Sequence, residues 1–175
     1  SSPPRAGMAW PTKVAGFDLW NIAMATFPMH GTTDRPLITM DYNFYVRQRQ
    51  ATSEGVTPEQ SKADSDAVLN TYRDMYGAAY HGSRAPMILG NHFNQWNNNA
   101  YTEALATFLR ETCVLPDTYC VPFRDLVAWM EAQDPAVLGA YQALPPETDA
   151  VPNPQPGPAP APPPAAPAPA PAPPG

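Results

Sequence analysis

The chain has 175 residues, a formal net charge of −6 and 43% hydrophobic residues, so it can bury the core of one domain. Ten basic residues against sixteen acidic ones, without a stripe of Lys and Arg, argue against a nucleic-acid partner. No apolar run approaches the roughly 18–20 residues of a membrane-spanning helix, so no transmembrane segment is predicted.

The N-terminal part contains two strand-like apolar runs. We expect strands near Leu19–Met24 and Leu37–Met40, joined by a turn at HGTTDRP. The chain begins at Ser1, and no basic and apolar leader follows. It is therefore expected to be a processed chain, an excised domain or a fragment.

A long helix is predicted to begin after Thr57. Thr57 as the N-cap, Pro58 at the first helical position and Gln60 form a capping-box pattern. Apolar residues at helical spacing give this helix one inward stripe, and Gly82 lies near its end. The stripe consists of Leu69, Tyr72, Tyr76 and Ala79.

Helices then alternate with short apolar runs. The runs APMILG and DTYCV are predicted as strands, and the segments NNNAYTEALATFLRETC and PFRDLVAWMEA as helices. Asn98 or Asn99 is expected to cap the first of these helices, with Leu105, Phe108 and Leu109 facing inward. This alternation predicts an α/β fold with parallel strands.

Cys113 and Cys120 lie seven residues apart in CVLPDTYC. We predict a disulfide that closes a small loop, which implies an oxidising compartment. Two unpaired, half-buried thiols are the alternative. A zinc pair is disfavoured because no second ligand pair with suitable spacing exists.

Proline marks the domain boundary. Of 25 prolines, 13 lie from Pro152 to Pro174, in a stretch without charged or aromatic residues. Such a stretch cannot bury enough apolar area to offset the entropy of ordering, and it favours an extended polyproline-II-like chain. We therefore predict a folded domain at residues 1–146 and a disordered Pro/Ala-rich tail at 147–175, which acts as a spacer or a cell-wall tether.

Asp41 and His92 each follow a predicted strand. In parallel α/β folds the carboxyl ends of strands meet at one rim, where ligands bind, so both side chains are expected there. Histidine changes charge near neutral pH, which makes His92 the candidate catalytic acid. Asp41, Tyr42 and Trp96 are candidate substrate-binding residues, the two aromatic ones by stacking on a sugar ring.

Each of these residues also has a purely structural interpretation. His92 is then a loop residue satisfied by its neighbours, and NHFNQWNNN is an asparagine-rich turn that caps the next helix. Trp96 then only covers that helix, and Asp41 caps the short segment YNFYV.

Several segments resemble polysaccharide deacetylases of carbohydrate esterase family 4. They are RAPMILGNHFNQWNNNAYTEALATFLRETC and YCVPFRDLVAWMEAQDP, and upstream MAWPTK, FDLWNIAMATFP and LITMDYNFY. The resemblance covers most of residues 8 to 134. Its most specific feature is an apolar run that ends in a histidine followed by Phe and Trp. It implies that the chain is the C-terminal portion of a distorted (β/α) barrel.

The resemblance also implies an activity: removal of acetyl groups from acetylated polysaccharides of the chitin type, with a divalent metal that is commonly zinc. His92 would be the general acid towards the leaving amine or alcohol, and Trp20 would line the acetate pocket. Gly90 stands where the family usually has Leu. The family's FDD signature and its His-x3-His pair are absent, so no metal is expected on this chain alone. The metal-binding strands are expected upstream of Ser1.

Two function hypotheses therefore compete. In the first, the intact protein is a secreted or cell-envelope deacetylase, and this piece, inactive alone, carries His92. In the second, the chain is a non-catalytic carbohydrate-binding or cell-wall-associated module, in which the aromatic residues Trp10, Trp20, Tyr42 and Trp96 are stacking platforms. A weaker third hypothesis is an interaction protein whose tail binds a proline-recognising domain.

Overall fold

The computed structural model of the chain describes residues 7–148. Within this range the chain forms four strands of two residues each and five helices. The strands are β1 (Thr12–Lys13), β2 (Trp20–Asn21), β3 (Thr26–Phe27) and β4 (Leu37–Ile38). The helices are α1 (Asp41–Arg49), α2 (Pro58–His81), α3 (Ala100–Thr112), α4 (Phe123–Glu131) and α5 (Pro135–Gln142). No helix in this range is both long and apolar enough to cross a membrane.

A short ladder of extended segments surrounds β4. β3 pairs with β4 antiparallel, and β1 pairs with β2 in a separate antiparallel hairpin. Just after β4, the Thr39 N–H donates to the Ala25 carbonyl at 3.0 Å, and the Thr39 carbonyl accepts from the Gly90 N–H at 3.2 Å. Met40 and Gly90 form a parallel bridge. The segments that end at Met40 and Gly90 therefore run in the same direction and leave the ladder at the same edge.

The two ends of the described chain pair with each other. Met8 and Glu147 exchange both of their backbone hydrogen bonds, at 2.8 and 2.9 Å, and the Gly7 N–H donates to the Thr26 carbonyl at 2.9 Å. The folded part therefore extends through Glu147, one residue past the predicted boundary. The predicted tail beyond Thr148 lies outside the described residues.

Helix α2 begins and ends where the capping pattern predicts. The Thr57 hydroxyl accepts from the Gln60 N–H at 3.3 Å, and the Gln60 side chain accepts from the Thr57 N–H at 2.9 Å. Gly82 is the C-cap. In the predicted inward stripe, Tyr72 and Ala79 are buried and the other two residues are half-buried against the core.

The core lies where α2 and α3, the most extensively packed helix pair, meet α1 and the ladder. The largest apolar and aromatic side chains buried there are Met8, Phe27, Phe44, Val68, Tyr72, Met75, Tyr101 and Met130. They come from the ladder and from four helices, so the small strands are held mainly by helix packing rather than by a long hydrogen-bonded sheet.

Two predicted strands do not form. In APMILG only Gly90 makes a bridge, and DTYCV is irregular. An apolar run becomes a strand only where another segment supplies partners for its N–H and C=O groups, and Pro86 removes one donor from the first run. Leu109, predicted to face inward, is 40% exposed. The architecture is mixed helix and strand with small sheets, and the barrel portion stays a prediction.

The disulfide between Cys113 and Cys120 is present, with the Cα atoms 5.5 Å apart. It closes the loop between α3 and α4, where the Tyr76 hydroxyl also contacts the Thr118 hydroxyl at 2.6 Å. The loop is thus attached both to the end of α3 and to α2.

Replacing both cysteines with serine is expected to lower the free energy of unfolding by about 2–3 kcal/mol, because the unfolded chain regains the entropy of an open loop. Urea unfolding of the oxidised wild type, the reduced wild type and the double variant checks this. Equal stability of all three would show that the disulfide contributes nothing to the fold.

Candidate functional site

Asp41 and His92 meet at the edge where the two parallel segments end. The His92 Nδ1 lies 2.6 Å from Asp41 Oδ1, and the His92 backbone N–H donates to Asp41 Oδ2 at 2.6 Å. The Asp41 residue is 1% exposed, whereas the His92 side chain is 51% exposed. The predicted meeting of these residues at one rim is therefore found, as a buried carboxylate bound to a solvent-facing imidazole.

Asp41 is fixed by its place in the chain. It is the first residue of α1, after Met40 as the N-cap, and its Oδ1 also accepts from the Tyr42 N–H at 2.7 Å. Its own N–H donates to the Gly90 carbonyl at 3.2 Å. A carboxylate in the first turn of a helix is stabilised by the free N–H groups there. Asp41 therefore belongs to a longer helix rather than capping the short segment YNFYV.

Gly90 allows the two segments to approach this closely. A Cβ atom at this position would lie 2.8 Å from the Met24 sulfur and 3.0 Å from Met40 Cγ. A larger side chain at position 90 would require the Met24 and Met40 side chains to move. This gives a physical reason for Gly90 at a position where the resemblance leads one to expect Leu.

An aromatic cluster adjoins the pair. Trp96 stacks on Tyr45 with ring centroids 5.3 Å apart and an interplanar angle of 8°. It also contacts Tyr42 and His92, at centroid distances of 5.4 and 5.6 Å. Because Tyr45 covers one face of the indole, Tyr42, which is 44% exposed, offers the more open ring. The structure thus brings Tyr42 and Trp96 together with Asp41 and His92.

Trp20 has its contacts elsewhere. Its indole N–H donates to Glu131 Oε1 at 3.0 Å, and Lys13 Nζ lies 4.9 Å from the centre of its ring. The hydrogen bond from Trp20, together with Lys13, lowers the pKa of Glu131. In the described part of the chain no hydrogen bond or ring contact joins Trp20 to His92. Its predicted role in lining the acetate pocket stays a prediction.

Two neighbours of the site were not among the candidate site residues of the sequence analysis. Phe93 is 70% exposed with φ +56°, and its N–H donates to Asn91 Oδ1 at 2.6 Å. Tyr45 supports Trp96 from α1. The residue order Asn91–His92–Phe93 could have indicated the position of Phe93. An asparagine side chain that accepts from the N–H two residues later forms a tight Asx-turn.

The asparagine run holds the loop in place. Asn97, Asn98 and Asn99 all have positive φ values, a conformation that asparagine tolerates better than most residues. Buried Asn97 donates to Asp64 Oδ2 at 2.6 Å and accepts from the Ser61 hydroxyl at 2.9 Å. Asn99 is the N-cap of α3, without a side-chain hydrogen bond to the helix. Asn99 thus occupies the predicted N-cap position without the predicted capping hydrogen bond, whereas Asn97 and Asn98 anchor the loop that carries His92 to α2.

The donor set does not suit a metal ion. Across residues 7–148, no three or more His, Cys, Asp or Glu side chains lie together in a way that could hold one. Asp41 and His92 supply only two donor side chains, and they bind each other. We therefore assign no step of a reaction to a metal held by these residues.

Comparison of the chain with protein-family models, with curated proteins and with solved structures gave no match.

Proposed function

We propose that the chain is the C-terminal part of a metal-dependent polysaccharide deacetylase, in which His92 donates a proton to the leaving group. The observation that carries this proposal is the Asp41–His92 pair at the shared edge of two parallel segments. The resemblance to carbohydrate esterase family 4 names the reaction class, and the pair supplies a group suited to its proton transfer.

The geometry of the pair suits a general acid. A carboxylate can only accept, so the hydrogen bond at 2.6 Å places a proton on His92 Nδ1. Nε2, the other ring nitrogen, is then the atom that can hand a proton to a leaving group. In the overall reaction water adds to the acetyl carbonyl, the C–N or C–O bond breaks, and acetate leaves. His92 Nε2 delivers the proton that the departing amine or alcohol needs.

The proposed glycan site includes the aromatic residues beside the pair. Tyr42 and Trp96 offer apolar ring surface to a pyranose, and Asn94 and Gln95 are exposed on the same loop as hydrogen-bonding groups. The divalent metal of the family, commonly zinc, would need ligands other than Asp41 and His92. When bound, it would polarise the acetyl carbonyl and activate water.

A location outside the cytoplasm is part of the proposal. The Cys113–Cys120 disulfide is typical of secreted and cell-envelope proteins, because the cytoplasm keeps thiols reduced. The Pro/Ala-rich residues from Pro152 onward would act as a spacer or cell-wall tether.

A non-catalytic carbohydrate-binding module is the second candidate. The observation that favours it is the exposure of two aromatic rings at the same rim, Tyr42 and Phe93, which are 44% and 70% exposed. Such rings can bind a sugar without any chemistry.

Acetate release distinguishes the two candidates. The protein to test comprises these 175 residues preceded by the residues encoded directly upstream, with Zn²⁺ and acetylated chito-oligosaccharides. The proposal predicts acetate release that a chelator abolishes. If this extended protein releases no acetate, while the 175-residue chain binds the same oligosaccharides in the presence of chelator, the binding module is correct instead.

A further inference from the structure

An open groove of about 590 Å³ lies between the C-terminal part of α2 and the loop that the disulfide closes. Five aromatic residues are among those that line it: Tyr76, Tyr80, Phe108, Tyr119 and Phe123. Tyr119 is 83% exposed and Phe123 is 57% exposed, so residues 7–148 leave this aromatic face largely uncovered. An exposed cluster of large apolar side chains in a groove is typical of a binding surface.

The wall of the groove opposite α2 is held in place by hydrogen bonds as well as by the disulfide. The Tyr76 hydroxyl contacts the Thr118 hydroxyl at 2.6 Å, and the Arg84 guanidinium donates to the Asp117 carbonyl at 3.0 Å. Both contacts join the loop to α2 or to the residues just after it. The groove therefore exists before any ligand binds, which lowers the entropy cost of binding.

The lining of the groove favours an uncharged, extended ligand. Arg84 and Asp117 are the only charged residues among the described ones that line it, and their charges are opposite. The Arg84 guanidinium also lies 4.1 Å from the centre of the Tyr80 ring and donates to the Tyr80 carbonyl. Tyrosine rings combine apolar surface with a hydroxyl donor. Aromatic grooves of this kind suit polyproline-II segments, whose backbone carbonyls have no internal hydrogen bonds.

The end of the described chain lies beside this groove. The Glu147 side chain accepts from the Ser83 N–H at 2.5 Å, and the next two residues, Arg84 and Ala85, line the groove. Three residues connect Thr148 to the segment 152–164, which contains eight prolines and no charged residue. A segment with the chemistry that the groove favours is therefore tethered close to it.

We propose that the groove binds residues 152–164 of the same chain as a polyproline-II helix. Proline rings pack on Tyr119 and Phe123, and tyrosine hydroxyls donate to carbonyl groups of the segment. Tethering makes the binding intramolecular, with an effective concentration in the millimolar range, so even a weak contact is populated. Residues 165–175 then remain as the spacer or tether. Neither Asp41 nor His92 takes part, so the inference does not depend on the proposed function.

The test is NMR spectroscopy of the oxidised 175-residue chain, in which nuclear Overhauser effects between proline protons of 152–164 and the rings of Tyr119 and Phe123 are sought. Tyr119→Ala and Phe123→Ala remove one ring each from the groove. The matched control is Phe17→Ala, because Phe17 is 67% exposed and is not among the residues that line the groove. All three side chains are largely exposed, so their loss is not expected to unfold the domain.

The wild type and Phe17→Ala are expected to show these contacts. Each groove variant is expected to lower the ratio of docked to free segment about fivefold, the contribution of one important aromatic residue at an interface. The amide shift of Ala159, compared with that of a synthetic peptide of residues 151–164, reports this ratio. A shift equal to that of the peptide in every protein, without the contacts, would overturn the inference.

Three further outcomes would also overturn it. Equal losses in Phe17→Ala and Tyr119→Ala would show that the segment touches the surface without preference for the groove. Contacts between labelled and unlabelled chains in a mixed sample, in place of contacts within one chain, would make a second copy the occupant. Shifts of the groove residues on addition of acetylated chito-oligosaccharides, with Ala159 still like the peptide, would make the groove a glycan site instead.

Discussion

Replacing His92 with alanine is expected to lower kcat for acetate release by the extended protein about 10²–10⁴-fold, the usual contribution of a general acid. KM is expected to change little, because the proton is transferred mainly in the transition state. Asp41→Asn is expected to lower kcat by at least about tenfold, since the amide can turn its NH₂ group towards Nδ1 and so no longer fixes a proton on that nitrogen. Steady-state kinetics with acetylated chito-oligosaccharides measure kcat and KM for the wild type and for both variants.

The chain contains its own control for this experiment. His30 Nδ1 lies 2.7 Å from Asp74 Oδ2, and the His30 side chain is 46% exposed, so its geometry closely matches that of the candidate pair. It follows β3, however, and the described hydrogen bonds join it to Thr71 and Asp74 of α2 rather than to the segments that end at Met40 and Gly90. His30→Ala should leave kcat unchanged. Equal effects of His30→Ala and His92→Ala would contradict the assignment of His92.

Phe44→Ala is expected to lower the free energy of unfolding by about 3–5 kcal/mol. Phe44 is 0% exposed and packs edge-on against Tyr72, so truncation leaves a cavity between α1 and α2. Because domains are typically stable by about 5–15 kcal/mol, this one change removes a large share of the total. Urea unfolding measures the effect.

Val46→Ala is the matched control for this truncation. Val46 lies in the same helix but is largely exposed, so its loss is expected to stay within about 0.5 kcal/mol. Because α1 begins with Asp41, the hydrogen-bond partner of His92, loosening α1 should also affect the His92 ring. The ¹⁵N chemical shifts of that ring in the folded fraction of Phe44→Ala should therefore differ from those of the wild type. A small loss of stability in Phe44→Ala, similar to that of Val46→Ala, would show that α1 is not held by this contact.

Local signals predicted three of the five described helices, α2, α3 and α4. Thr57, Pro58 and Gln60 identified the start of α2, and apolar spacing identified α3 and α4. These signals work because the partners of a cap or of a helical stripe lie within four residues of each other. Helix α5 was missed although its cap is of the same kind: Asp134 accepts from the Ala136 N–H at 2.8 Å, ahead of a short helix with little apolar pattern.

Helix α1 shows where local signals fail. Its sequence DYNFYVRQR has no clear apolar face, because the buried face includes charged Asp41, whereas the apolar residues Tyr42 and Val46 lie on the exposed face. The aromatic residues also favour strands. Packing of Phe44 against Tyr72 and of Tyr45 against Trp96 decides the conformation, and neither contact is visible in a sequence window.

The sequence by itself determined the starts of α2, α3 and α4, the cysteine pair and the position of His92 and Asp41 at the ends of apolar runs, because each depends on neighbouring residues. Only the tertiary structure decided which runs became strands, that Trp20 binds Glu131, and that Asp41 is the buried partner of His92. The residues of that pair are 51 positions apart. Their contact depends on the parallel bridge between Met40 and Gly90. This backbone pairing forms only when distant segments pack together in the folded chain.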